Sequence, residues 1–140
     1  MILLDTNVIS EPMRTAEGHV VAWIDAQSVE TLYLAAITVA ELRFGVATMP
    51  AGKRRDTLHD RLEKQVLPLF TGRVLPFDLA ASQAYAELMA RARAAGLAIG
   101  TTDGYIAAIA SANRFAIATR DTSPFKAAGV PVINPWGEAQ

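Results

Sequence analysis

Four carboxylates stand where short apolar runs give way to turns or to the starts of helices: Asp5, Glu41, Asp103 and Asp121. Asp5 follows at once on Met1-Ile2-Leu3-Leu4, and Thr6-Asn7 begin a turn behind it. Asp121 comes just after the run Phe115 to Thr119. Carboxylates gathered in one pocket repel, and their pKa values rise unless cations hold them together. Mg²⁺ and Mn²⁺ are hard cations that take such oxygen ligands. Ions of this kind activate a water and clamp the oxygens of an in-line phosphoryl displacement, which is the chemistry of phosphodiester hydrolysis. Each acid alone also has a plainer reading. Asp5 is a good helix N-cap. Thr38-Val39-Ala40-Glu41 has the form of a capping box. Asp103 would be favoured in a first helical turn by the helix dipole. What separates the two readings is whether the fold brings the four together.

Short apolar runs bounded by turn residues read as buried strands of a parallel sheet, and ligands bind such sheets at the carboxyl ends of the strands. Residues 1–4, Thr31 to Ala35, Arg73 to Phe77, Phe115 to Thr119 and Val130 to Ile133 read this way. Pro76 places the third at an edge or ends it. Between them lie a short helical turn over Asn7 to Met13, with Pro12 disfavouring its continuation, and an amphipathic helix over Glu17 to Gln27. A helix follows from Thr38, and a charged one spans Lys53 to Val66. Another runs from Leu79 to Ala95, capped by Asp78 and ended by Gly96. The next is introduced by Ile99 to Asp103, with Ile106, Ile109 and Ala110 facing inward, and a last helical turn covers Ser123 to Ala128. Strand–helix alternation implies right-handed crossovers and a three-layer α/β/α architecture around a short central parallel sheet. Helices that follow strands begin on the carboxyl edge. Residues 96–102 must climb back to that edge before Asp103, which ~7 extended residues can do. All four acids are therefore expected at one edge.

Composition narrows the rest. The chain has 140 residues, read as one domain over 1–140, with 51% hydrophobic and 19% charged residues, so it is a globular chain with a sizeable core. It has no cysteine, which excludes disulfides, thiolate catalysis and Cys-ligated metals. Its two histidines, His19 and His59, stand isolated from each other, which argues against a His triad or a His-rich metal site. No apolar run approaches the ~18 residues of a membrane span, and no basic region precedes the first apolar run as in a signal peptide. A cytoplasmic protein without a membrane partner is expected. The net charge of −1 argues against a non-specific nucleic-acid coat. In Lys53 to Val66 the bases Lys53, Arg54, Arg55, Arg61 and Lys64 alternate with Asp56, Asp60 and Glu63. That pattern reads as a solvated face, with RNA contact as the second reading.

Four segments together carry a resemblance: Leu4-Asp5-Thr6-Asn7-Val8-Ile9, Ile37-Thr38-Val39-Ala40-Glu41-Leu42, Asp103-Gly104-Tyr105-Ile106-Ala107-Ala108 and Ala118-Thr119-Arg120-Asp121. In order and spacing they resemble the PIN-domain ribonucleases and, within these, the VapC-type toxins of bacterial toxin–antitoxin pairs. The likeness covers essentially the whole chain, to Asn134-Pro135-Trp136. It implies a PIN-like α/β/α fold and an acidic pocket that binds Mg²⁺ or Mn²⁺ and cuts RNA. It also implies a homodimer neutralised by a small DNA-binding antitoxin, of ribbon-helix-helix or similar type, through which alone the pair would meet DNA. Asp5 and Asp103 match the family's principal metal ligands, Glu41 and Asp121 its second and fourth acids, and Thr119 the polar residue before the last. One position departs. Many members carry Asn at the place of Asp121 and a further Asp or His just before the Phe matching Phe125, where this chain has Pro124. The fourth acid is therefore Asp121, or the site has three.

Two other classes compete. A phosphatase using Asp5 as a nucleophile, of haloacid-dehalogenase type, wants a second Asp two residues on, and this chain has Asn7. A PIN-like module of weak or no activity, which holds the antitoxin and tunes its DNA binding, would not need all four acids. A dinucleotide-binding unit fails for want of a Gly-rich turn after the first strand.

Overall fold

The structure is a computed structural model and describes residues 1–137. Five short strands form one parallel sheet: β1 (Ile2–Leu4), β2 (Leu32–Ala35), β3 (Val74–Leu75), β4 (Ala116–Ala118) and β5 (Val132–Ile133). Their order across the sheet is β3-β2-β1-β4-β5. The chain thus winds outward from β1 on one side, returns, and winds outward on the other. The winding direction reverses between β1 and β4, where open α/β sheets present their ligand crevice. Among the described residues seven α-helices accompany the sheet: α1 (Thr6–Arg14), α2 (His19–Asp25), α3 (Ala36–Ala47), α4 (Lys53–Asp60), α5 (Leu79–Ala94), α6 (Thr101–Asn113) and α7 (Ser123–Ala127). Both α/β/α layering and the edge position of β3 agree with the sequence reading.

Alternation along β1 builds the two cores. Successive strand residues point to opposite faces, and Leu3 and Leu4 are each fully buried, in different clusters. Leu3 joins Ile117, Leu88 of α5, Ile106 and Ile109 of α6, and Phe125 of α7. Leu4 joins Leu34, Val8 of α1, Val20 of α2, and Val39 and Leu42 of α3. Helix α6 is the most enclosed element: Gly104 and every residue from Ile106 to Ala110 are buried. A helix apolar on all sides belongs in the interior, and this one is wedged between the sheet and α5.

Three local expectations change. Helix α1 runs through Pro12 to Arg14. The missing N–H removes one bond two residues before the helix end, and the Thr15 N–H still reaches the Glu11 carbonyl at 3.0 Å. Helix α2 is trimmed at its start by Gly18, whose φ of 120° lies outside the helical region. The charged helix ends at Asp60 and passes into a wider π-helical turn over Arg61–Val66 and a tight 3₁₀ turn over Leu67–Phe70. There Leu62 and Phe70 turn inward, and the Arg61 guanidinium donates to the Met13 carbonyl at the end of α1. No residue of α4 is buried, so it is the solvated helix expected, with Lys64 in the next turn paired to Asp60 at 3.5 Å. Among the described residues no helix is long and apolar enough to cross a membrane.

If α6 is the wedge that holds the layers, then Ile109→Ala, which opens a cavity at a fully buried position, should lower the free energy of unfolding by ~2–5 kcal/mol in urea titration. A loss below ~1 kcal/mol would mean that the helix is not packed as described.

Candidate active site

Asp5 is the residue just past the central strand. Its N–H continues the β1–β4 ladder to the Ala118 carbonyl at 2.9 Å. One carboxylate oxygen caps α1 by accepting from the Thr6 N–H at 2.8 Å. The other accepts from the Thr119 hydroxyl at 2.8 Å and, more distantly, from the Asn7 amide at 3.5 Å. Asp5 caps α1, as its sequence position suggested, and its second oxygen is held by polar side chains at the carboxyl end of the strand. The side chain is only 6% exposed. Burial pushes its pKa up, the Thr119 and Thr6 hydrogen bonds pull it down, and the charges of Asp103 and Glu41 push it up again. The balance is a pKa above the ordinary carboxylate value.

Glu41 reaches the pocket by a different route from the capping box expected. Strand β2 runs straight into α3 at Ala36, so Thr38 is the third residue of that helix and Glu41 the sixth. Thr38 turns into the core, fully buried with its hydroxyl unpartnered, and the cap residue Ala35 has no polar side chain to offer. Glu41 is exposed and accepts from the Thr6 hydroxyl at 2.6 Å. Thr6 thus joins the cap of Asp5 to the second acid.

Asp103 lies in the first turn of α6, beside Gly104. A Cβ on Gly104 would stand 2.9 Å from the Met89 sulfur and 3.1 Å from the Tyr85 ring. Glycine there lets the start of α6 lie close against α5. The pKa of Asp103 is raised by partial burial, then by the charges of Asp121 and Glu41. Asp121 lies beyond β4 in a loop tied back to Thr119, whose hydroxyl accepts from the Asp121 N–H at 3.1 Å. Asn7 ties the same loop to α1: its amide oxygen accepts from the Arg120 N–H at 3.1 Å, and its NH₂ points at the Thr119 hydroxyl at 3.4 Å. Pro124 sits in the first turn of α7, where no N–H is needed and no acid is supplied.

The fold therefore brings all four predicted acids to one edge, linked by mutual repulsion: Asp5 with Asp103 and Glu41, and Asp103 with Glu41 and Asp121. Thr6 and Asn7 complete the set, although neither stood among the site residues expected from the sequence. Their signal was adjacency, a hydroxyl and an amide directly behind a strand-ending Asp. Both histidines are exposed, His19 at the start of α2 and His59 in α4. Among the described residues no three acidic or histidine side chains stand close enough to ligate one ion as a group. Mg²⁺ commonly uses one or two carboxylates and keeps several waters, so the oxygen-only donor set and its unrelieved repulsion suit such an ion. A groove of about 500 Å³ opens beside Glu41, between α1, α3 and α4, lined in part by Ser10, Met13, Leu42 and Arg54.

Residues 2–130 match the PIN domain family. The chain is 65% identical to plasmid stability protein StbB of Pseudomonas syringae pv. tomato, over 97% of this chain and 99% of that one. It is 64% identical to VapC ribonuclease Y4jK of Sinorhizobium fredii, over 99% and 100%. Toxin FitB of Neisseria gonorrhoeae is 54% identical, over 97% and 99%. The crystal structure of FitAcB from that organism superposes with a TM-score of 0.93 over 97% of this chain and 99% of its own. The structure of FitAB bound to an IR36 DNA fragment does so at 0.94 and 51% identity, over 100% and 99%. With its sheet order, acidic edge and full-length likeness, the chain belongs to the PIN-domain family, in the group that holds the VapC and FitB toxins.

Proposed function

We propose that this chain is a Mg²⁺- or Mn²⁺-dependent endoribonuclease and the toxin of a toxin–antitoxin pair. It acts as a homodimer on RNA and is held in check by a small DNA-binding antitoxin of ribbon-helix-helix or similar type. One observation carries the catalytic reading: Asp5, 6% exposed at the switch of the sheet, has its pKa pushed up first by burial and then by the charges of Asp103 and Glu41. A fold gains nothing in stability from such a cluster. It becomes favourable when a divalent cation joins it. The antitoxin reading is supported by the relatives at 51–54% identity, whose solved structures are named as the FitAcB and FitAB complexes, the latter on DNA.

In this reading Asp5 and Asp103 hold the ion and Glu41 and Asp121 complete its surroundings. When bound, the ion would supply charge for the developing phosphorane oxygens and acidify the attacking water. The chain's own residues do the rest. Thr119 and the Thr6 N–H fix the orientation of Asp5, and the Thr6 hydroxyl fixes that of Glu41.

The partial burial of Asp103, with the charges of Asp121 and Glu41 beside it, predicts a stability effect with a definite sign. A raised native pKa means that folded Asp103 binds its proton more tightly than the unfolded chain does. Its stabilising contribution is complete below the model-peptide value of 3.8 and is lost as pH rises through the higher native value. Without metal, Asp103→Asn should melt at the same temperature as the parent well below pH 3.8 and above it at neutral pH. It should also lose at least ~100-fold in cleavage of single-stranded RNA, if the ion's several kcal/mol are forfeited. A variant that cleaves at the parent's rate would sink the reading, and a parent with no metal-dependent cleavage would leave a binding module.

Glu41 has no capping role in the structure, so Glu41→Gln should leave the melting temperature of the metal-free protein unchanged or higher. It should slow RNA cleavage by ~10-fold or more. A lower melting temperature would mean that the carboxylate stabilises the fold.

For Asp121, replacement by Asn removes charge and keeps shape. Cleavage should slow by about tenfold, roughly 1.4 kcal/mol, and raising Mn²⁺ should restore part of it. Rates within a factor of ~2 of the parent at limiting Mn²⁺ would leave a three-acid site of Asp5, Glu41 and Asp103.

A further inference from the structure

Arg120 lies in the loop between Thr119, the partner of Asp5, and Asp121, so its backbone stands at the rim of the acid pocket. Coulomb attraction should pull its guanidinium inward, toward Asp121 and the acids beyond. Among the described residues it forms no ion pair. Its guanidinium carbon instead sits over the Trp136 ring, 4.7 Å from the centroid. Both ends of this stack are fixed. Asn7 accepts from the Arg120 N–H at 3.1 Å. The Trp136 backbone N–H donates to the Asn134 side-chain oxygen at 3.0 Å, and the indole packs against the cluster that contains Leu4 and Val8. Cation–π attraction at an exposed site is of the order of the net value of a surface ion pair, so a held indole can compete with the acids. The consequence is twofold. Asp103 and Asp121 are left without an ion pair to Arg120 among the described residues, and an exposed arginine fork stays at the rim.

We infer that Arg120, stacked on Trp136, binds a phosphate of single-stranded RNA next to the bond that is cut, and that Trp136 is its positioning residue. This rests on the ribonuclease reading above. A pocket of carboxylates repels a polyanion over most of its approach, and a guanidinium at the rim offsets that repulsion where the strand must enter. Its planar fork matches two phosphate oxygens. The indole stiffens the side chain, so less freedom is lost when the phosphate arrives.

The test is binding of a fluorescein-labelled single-stranded RNA, followed by anisotropy at several salt concentrations, with melting temperature and cleavage measured alongside. Arg120→Ala should weaken binding by roughly tenfold and reduce the slope of log affinity against log salt by about 0.7, the share of one phosphate on a single strand. Its melting temperature should not change. Arg120→Lys should keep the slope. Trp136→Phe, which retains a ring face, should bind as the parent does, while Trp136→Leu should lose affinity with Arg120 still present. Parent-like affinity and slope in Arg120→Ala would overturn the inference, as would no measurable RNA binding by the unmodified chain. If Arg120→Ala binds normally while Asp103→Asn is inactive, the rim contact is wrong and the ribonuclease reading survives. If binding depends on Arg120 but the parent never cleaves, the reverse holds.

Discussion

Burial of carboxylates beside one another, which the backbone forces, sets the character of the carboxyl edge. Asp5 cannot retreat, because its N–H is part of the sheet ladder and its carboxylate caps α1. Asp103 cannot retreat either, since it rides on the first turn of a helix whose remaining body is enclosed by sheet and α5. Each acid is thus anchored by an element whose packing has nothing to do with charge. Hydrophobic burial of α6 and β1 contributes the stability, and the edge spends part of it on an arrangement that water alone would disperse.

Small polar side chains decide how that tension is distributed. Thr119 donates its hydroxyl to Asp5 and accepts from the Asp121 N–H, so one oxygen faces both a buried and an exposed acid. Thr6 spends its N–H on Asp5 and its hydroxyl on Glu41. Asn7 spans from the start of α1 to the loop after β4. None of the three carries charge, yet together they tie Asp5 to Glu41 and to the backbone of the loop that carries Asp121. Hydrogen bonds to carboxylates are stronger than neutral ones, which is why short side chains suffice.

Much of this was legible in the residues. Apolar runs ending in acids placed the strands, their order placed the acids on one edge, and Asp78 and Gly96 marked the limits of α5 as read. Where the reading erred, a local pattern lost to a longer-range one. Thr38 and Glu41 have the spacing of a capping box, but β2 continues directly into α3 and burial claims Thr38 for the core. Pro12 looked like a stop, but so close to the helix end it costs a single bond. The turn over Arg61–Val66 had no sequence mark, because it widens to turn Leu62 inward and to let Arg61 reach the end of α1. Contacts such as Thr6 to Glu41, 35 residues apart, need the folded chain to be seen.

The outermost strands of the sheet, β3 and β5, are two residues long each. A border that short exposes few unpaired backbone donors and acceptors, and β3 is followed at once by Pro76, which has no N–H to give. Such a margin is a poor template for strand addition. Growth of the sheet by annexing a neighbouring chain is thereby discouraged, which protects a protein with 51% hydrophobic residues from runaway aggregation. Any partner is left to recognise this molecule through side chains on its helices and loops, where specificity can be encoded residue by residue.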